Sequence, residues 1–264
     1  MTVRPPAVAG SFYPAAAAQL EAQLAHLLGA VQAPQGPCPK ALIVPHAGYI
    51  YSGPIAASAF ARIAPHGEQL ERVVLVGPAH RMFVAGLAAT GADRLRTPLG
   101  DVEVEQVDVP ANTAAHAREH SLEVQIPFLQ AAAGKFQFSA ICVGTADFHA
   151  LADLGHALAR AIRSCGEPVL IVVSSDMNHY ESAEVNKRKD DLAIEQMSAL
   201  NAEGLHRVVI EKDIGMCGFA PAVAALVACR DMGAHQGRLV RYAHSGEVTG
   251  DSDRVVSYAG MLIE

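Results

Sequence analysis

Positive charge is scarce in this sequence: 20 Lys and Arg stand against 27 Asp and Glu, for a formal net charge of −7 at pH 7. Phosphate binding needs a clustered basic surface, so the balance argues against a nucleic-acid partner. The one dense basic run, Lys187-Arg188-Lys189, meets Asp190-Asp191 at once and reads as a solvated helix face. Tryptophan is absent and aromatics make up 5%. Paired cysteines are missing too. Cys38, Cys142, Cys165, Cys217 and Cys229 are scattered without a C-x-x-C pair, which suits a reducing compartment better than a disulfide framework. No apolar run approaches membrane-spanning length, and Met1 to Pro6 lacks the basic-then-apolar order of a secretory signal. The expectation is a cytoplasmic protein with no membrane partner.

Common catalytic signatures are also absent: no Walker loop, no G-x-S-x-G elbow, no glycine fingerprint after a first strand, no H-E-x-x-H and no solenoid repeat. What is present is a chain of 264 residues, 51% hydrophobic and 18% charged, enough for a sizeable core. Short β-branched runs alternate with alanine-rich segments. Strands are expected at 41–44, 72–76, 86–90, 102–109, 136–143, 168–173, 239–243 and 254–261. Helices are expected at 20–28, 53–62, 112–128, 151–163, 182–200 and 221–229, with Pro34 to Pro39 as a connector. This alternation predicts an α/β three-layer sandwich: a central, mostly parallel mixed sheet with helices on both faces, and the 102–109 and C-terminal strands antiparallel at its edges. No composition break divides residues 1–264, which reads as one domain.

Polar residues gather where three apolar strands stop. Ala41-Leu42-Ile43-Val44 runs into Pro45-His46-Ala47-Gly48-Tyr49; the strand ending at Val76 runs into Gly77-Pro78-Ala79-His80; the strand ending at Val173 runs into Ser174-Ser175-Asp176-Met177-Asn178-His179-Tyr180. Ligands of open α/β sheets bind beyond the carboxyl ends of the strands. If these strands are parallel neighbours, His46, His80, Asp176 and His179 share one cleft.

Cys217 sits between glycines just before an apolar helix that Pro221 is expected to open, a place where the helix dipole favours a thiolate. Glu119-His120-Ser121-Leu122-Glu123 is a further candidate, with Glu119 and Glu123 on one helix face and solvent exposure as the competing reading. Tyr49 and Tyr51 offer an apolar wall beside His46 or, equally, core packing. The segment Arg4 to Pro14 is expected to pack against a core. Two histidines with a thiolate or carboxylate suit iron, copper or zinc, and His179 suits proton transfer.

These motifs together resemble the Memo family. The match runs from Pro6-Ala7-Val8-Ala9-Gly10-Ser11-Phe12-Tyr13-Pro14 through the three strand ends, Glu119-His120-Ser121-Leu122-Glu123 and Cys217-Gly218 to Ser245-Gly246 and Val255-Val256-Ser257-Tyr258. The family looks like class III extradiol ring-cleaving dioxygenases in fold. The resemblance implies that His46, His80 and Cys217 hold iron or copper, with Cys217 where the dioxygenases have a carboxylate. It also implies that Asp176 and His179 line the pocket, with His179 at the acid/base position; His120 joins them as a catalytic candidate. Ala79 and Asn178 stand where serine is frequent. Family members are associated with copper-linked redox chemistry, the animal member with phosphotyrosine peptides, and prokaryotic members with a radical-SAM protein. The expected function is metal-dependent redox or dioxygenase-like activity on a small molecule. Two alternatives stand beside it: a non-catalytic peptide-binding module that keeps the pocket, and a component of a radical-SAM modification system.

Overall fold

A computed structural model describes residues 1–32 and 36–264. The strands are β1 (Val3–Arg4), β2 (Ala41–Val44), β3 (Arg72–Pro78), β4 (Leu87–Ala89), β5 (Arg94–Thr97), β6 (Gly100–Glu103), β7 (Gln137–Val143), β8 (Val169–Ser174), β9 (His179–Glu181), β10 (Gly237–His244) and β11 (Val255–Ile263). The helices are α1 (Ala17–Gly29), α2 (Tyr49–Phe60), α3 (Thr113–Ala117), α4 (Ile126–Ala133), α5 (Phe148–Cys165), α6 (Ala183–Ser198), α7 (Ala202–Glu211), α8 (Phe219–Asp231) and α9 (Gly246–Thr249).

The central sheet runs β10-β11-β2-β8-β3-β7-β4, with β9 attached to β11. Its middle, β2-β8-β3-β7, is parallel; β11, β10 and β4 run antiparallel at the two sides. Strand side chains alternate between two cores, as a period of two requires. Leu42, Val44, Leu170 and Val172 pack with α1, α2 and α4, through Leu20, Leu24, Phe60 and Phe128. Ala41, Ile43, Ile171 and Val173 face the other way, onto α5 to α8, through Leu151, Met197, Leu205 and Leu226. Burial on both faces explains why these strands read as unbroken apolar runs. The α/β sandwich expected from the sequence is therefore the observed architecture. Among the described residues no helix is long and apolar enough to cross a membrane.

Several elements depart from expectation. The strand expected over 102–109 is only Gly100–Glu103, and it pairs with β5 in a separate sheet, β1-β5-β6, rather than at an edge of the central one. Gly100, at φ +118, allows the tight turn from β5, and Arg94–Glu103 and Arg96–Asp101 ion pairs cross it. The helix expected over 112–128 is split into α3, an irregular stretch, a 3-10 turn and α4. Buried Arg4 donates from Nε to His116 O (2.7 Å) and from Nη2 to Glu119 O (2.6 Å), taking carbonyls that a continuous helix would use. Helix α2 starts at Tyr49, four residues earlier than expected, and α8 starts at Phe219, ahead of Pro221. Helix α7 and strands β1, β5 and β9 were not anticipated. The expected Pro34–Pro39 connector lies partly outside the described residues.

Candidate metal centre

Strand β8 lies between β2 and β3, parallel to both, with Val44 opposite Ser174 and Val76 opposite Val173. The three polar strand ends are thus neighbours, and their loops emerge together. Close approach is built in: a Cβ at Gly77 would lie 2.7 Å from Leu122 Cδ2 and 3.1 Å from Ser121 Oγ, so any larger residue there would have to displace the Leu122 side chain.

His46 is buried, and its ring has a defined direction. Nδ1 lies 2.9 Å from Ser174 Oγ, which also receives Gln125 Nε2 (2.9 Å) and donates its own proton to Ser121 O (2.6 Å). With its one proton spent, the hydroxyl accepts from Nδ1–H, which leaves Nε2 of His46 as the ring's lone-pair atom. The His46 N–H donates to Asp176 Oδ1 (2.7 Å), and Asp176 Oδ2 stands 4.0 Å from Nε2. Burial, and next the nearby His80 ring, push the His46 pKa down to about 3, so the ring is neutral at neutral pH.

His80 follows the same logic with a carboxylate. Its Nδ1 is 3.0 Å from Glu119 Oε1, and ionised Glu119 can only accept, so Nδ1 carries a proton and Nε2 is the nitrogen open to a metal. Glu119 is buried; that burial favours the neutral acid, but the bonds from His80 and from Ser121 N–H hold its pKa well below the usual carboxylate range. His120 sits beside both, ring centroids 4.8 Å from His80 and 5.4 Å from His46. Its Nδ1 is buried without a hydrogen-bond partner, 3.4 Å from Glu119 Oε1, and burial first, then the His46 ring, push its pKa down to about 4. One donor atom from each of His46, His80 and His120 lies within 4.8 Å of the others.

Cys217 approaches from α8's side. Its Sγ is 3.2 Å from His46 Nε2 and accepts from Asp176 N–H (3.2 Å). Gly218 permits this: a Cβ there would collide with the Ser174 carbonyl oxygen and lie 2.5 Å from Ser175 Cβ. The expected thiolate is not favoured in the metal-free protein. Burial, and then the Asp176 carboxylate, push the thiol pKa up, which outweighs the start of α8 nearby. Cys142 and Cys229 are buried thiols too, and burial raises both to about 12.

His179 is half-buried at the end of the β8 loop and donates from Nδ1 to Gly215 O (2.8 Å), which leaves Nε2 facing away from that bond. Asn178 braces this arrangement from below, accepting Gly215 N–H at Oδ1 (2.6 Å) and giving its amide protons to Glu181 and Asn186. Burial raises the Asp176 pKa, and hydrogen bonds from the His46 and Ala47 N–H groups only partly offset it.

The donors fit a metal. Three clustered imidazoles, one with a ring nitrogen orphaned in the interior and one touching a soft sulfur, are in agreement with the ligand chemistry of iron, copper or zinc. The three-histidine grouping differs from the sequence reading, which set His120 aside from the ligands. Sequence reasoning also missed Glu119's grip on His80, the Ser174–Gln125 support of His46, and Phe12, whose ring lies 4.9 Å from that of His120. Glu119 and Glu123 share no solvent-facing helix. Glu123 is buried against Arg4 (2.6 Å), the Ala7 and Val8 N–H groups and Tyr13 Oη–H (2.7 Å), anchoring the N-terminal segment. Tyr49 belongs to the core, donating to Val124 O (2.6 Å), and Tyr51 packs on the Ile55–Tyr258 cluster.

Comparison with known proteins settles the family. A family model described as Memo-like protein matches residues 4–262. The chain belongs to the Memo family. It is 40% identical to a MEMO1 family protein of Aquifex aeolicus over 99% of both chains, and 36% identical to MEMO1 family protein MK0963 of Methanopyrus kandleri over 98% of both. Among solved structures, an uncharacterized protein of Escherichia coli K12, JW3007, superposes with a TM-score of 0.52 at 14% identity, covering 86% of this chain and all of that one, which shows a shared fold. The dioxygenase relationship is consistent with Memo membership.

Proposed function

We propose that this Memo protein is a metal-dependent redox enzyme. His46 and His80 would hold iron or copper with Cys217 as third ligand, and His120 stands beside both imidazole rings. The observation that carries this reading is the pair of oriented rings: Ser174 and Glu119 each engage an Nδ1, turning the Nε2 atoms of two histidines toward a shared space, where the Cys217 sulfur meets that of His46. Bound there, the metal would supply electron transfer and activation of dioxygen toward a small organic substrate.

The chain's own residues supply the rest. His179 presents Nε2 with its other nitrogen fixed on Gly215 O, the state of a base ready to take a substrate proton and return it. Asp176 holds the His46 backbone in place and keeps a second carboxylate oxygen near the ligand set. Thiolate in place of carboxylate is a softer donor, which favours copper and zinc more than a dioxygenase site does and makes the sulfur itself oxidisable. The test is metal analysis of protein purified without chelator, followed by aerobic turnover of catechols and related reductants. Bound iron or copper with turnover that His179→Ala abolishes supports the reading; bound metal with no oxygen consumption under any of these conditions opposes it.

A peptide-binding module is the second reading, favoured by the apolar side chains at the cleft loops. Met82 and Phe83 follow His80 at 43% and 85% exposure, and Tyr180 follows His179 at 65%. Retention of partner binding by His46→Ala would favour it over the enzyme.

A further inference from the structure

We infer that Glu119 is the positioning residue of the metal centre: its carboxylate fixes the Nδ1–H tautomer of His80 and so presents Nε2 to the metal. This rests on the metal-centre reading above, and extends it to a residue outside the ligand set.

Glu119 is 1% exposed, yet it forms no ion pair with Arg or Lys among the described residues. Its partners are the groups that define His80. Oε1 accepts from His80 Nδ1 (3.0 Å) and from Ser121 N–H (2.9 Å), and Oε2 accepts from His80 N–H (2.5 Å). His80 is therefore held at both its backbone and its ring by one side chain. Oε1 also lies 3.4 Å from His120 Nδ1, so the same oxygen reaches two of the three clustered histidines. A buried anion set against an imidazole and the backbone N–H groups around it has a specific use: an oriented acceptor that makes the opposite ring nitrogen a better donor.

His46 offers the internal contrast. Its Nδ1 is engaged by the neutral hydroxyl of Ser174, which has room for only one orientation because its proton goes to Ser121 O. His80 is more exposed, at 29% of its side chain, and less confined by packing, so its orientation depends more on one charge-assisted bond. The loop that carries Glu119 is itself pinned by Arg4 through Glu119 O. The carboxylate is thus fixed from behind while its oxygens face the site.

In Glu119→Gln one oxygen becomes an amide NH2. If that group faces His80 Nδ1, the ring must accept there and carry its proton on Nε2, which blocks the ligand atom; if it faces the His80 backbone, two donors oppose each other. The first placement reverses the tautomer; the second keeps an uncharged oxygen on Nδ1–H but sets the NH2 against the His80 backbone N–H, so the ring is held more weakly in either case.

Two measurements test this. Long-range nitrogen–proton NMR on histidine-labelled, metal-free protein reads the tautomer directly: His80 is expected as Nδ1–H, and a predominant Nε2–H form in wild type overturns the proposal without any variant having to fold. Competition titration with Zn(II) or Co(II) reads affinity. Glu119→Gln is expected to bind about 10 to 100-fold more weakly, with Glu119→Asp recovering part of the loss. In a His80→Ala background the Glu119→Gln effect should vanish, because Glu119 acts through that ring. An undiminished effect there, or wild-type affinity in Glu119→Gln, overturns the assignment. Absence of metal binding by wild type would instead sink the metal-centre reading, while the tautomer measurement would still decide Glu119's role on His80.

Discussion

The backbone N–H of His46 donates to Asp176 Oδ1 at 2.7 Å, joining the ends of β2 and β8 just past the last ladder bonds. Pro45 has no N–H to continue the ladder, so the chain leaves the sheet there and the carboxylate takes over the pairing. Asp176 thereby sets where His46 begins its turn, and Cys217 Sγ receives the Asp176 N–H from the other side. Asp176→Ala should leave two N–H donors, of buried His46 and half-buried Ala47, without their acceptor. The expected loss is about 1–3 kcal/mol of stability, with weaker metal binding, measured by urea denaturation and metal titration.

Gly218 lets α8 bring Cys217 against the end of β8. Gly218→Ala forces its Cβ onto Ser174 O and Ser175, and the easiest relief moves the cysteine away from His46. Overpacking of this kind costs about 1–3 kcal/mol. The variant should keep histidine-dependent metal binding while losing the sulfur-to-metal charge-transfer absorption that wild type shows with Cu(II) or Co(II).

Arg4 and Glu123 form a buried ion pair that closes the N-terminal segment over the irregular 118–122 stretch. Arg4→Met strands Glu123 and frees the carbonyls of His116 and Glu119. Removing one partner of a buried pair costs about 3–5 kcal/mol, so the variant should unfold at clearly lower denaturant concentration and lose metal affinity together with stability.

How far the sequence foretold this arrangement can be followed strand by strand. Ala41–Val44 and Val169–Ser174 are buried on both faces, so composition alone marked them, and the polar residues after Val44, Pro78 and Ser174 marked the cleft. The order β2-β8-β3, on which convergence depends, is a long-range fact that no local pattern carries. β5, Arg-Leu-Arg-Thr, escaped notice because its charges alternate with buried Leu95 and Thr97 in the middle of a small three-stranded sheet. The Glu119–Glu123 region misled for a similar reason: helical spacing was present, but Arg4, more than a hundred residues away in sequence, takes its carbonyls. His120's place among the ligand atoms follows from that broken helix.

Acid should weaken the metal-free protein through its neutral histidines. His46 and His120 have folded pKa values of about 3 and about 4, both below the ordinary value near 6.5. Below about pH 6.5 the unfolded chain takes up protons that the native rings refuse, so stability is full above that pH and falls as pH drops toward 4 and then 3, by at most about 1.4 kcal/mol per pH unit for each ring. Asp176, with a raised pKa, acts with the opposite sign. The check is therefore a difference: the stability gap between wild type and His120→Asn should narrow from pH 7 to pH 5, and a constant gap would contradict the assignment.

Metal uptake should also release a proton. The Cys217 thiol is protonated in the metal-free protein, whereas His46 and His120 carry no extra proton at neutral pH. Calorimetry at pH 7.5 in buffers of different ionisation enthalpy should count about one proton released per metal bound, and none in Cys217→Ser.

X-ray absorption at the iron or copper edge of the loaded protein tests the metal-centre claim most directly. The account predicts imidazole scattering together with one sulfur at about 2.3 Å, the sulfur disappearing in Cys217→Ser. A wild-type shell of nitrogen and oxygen alone would contradict it, and would leave the metal on His46, His80 and His120.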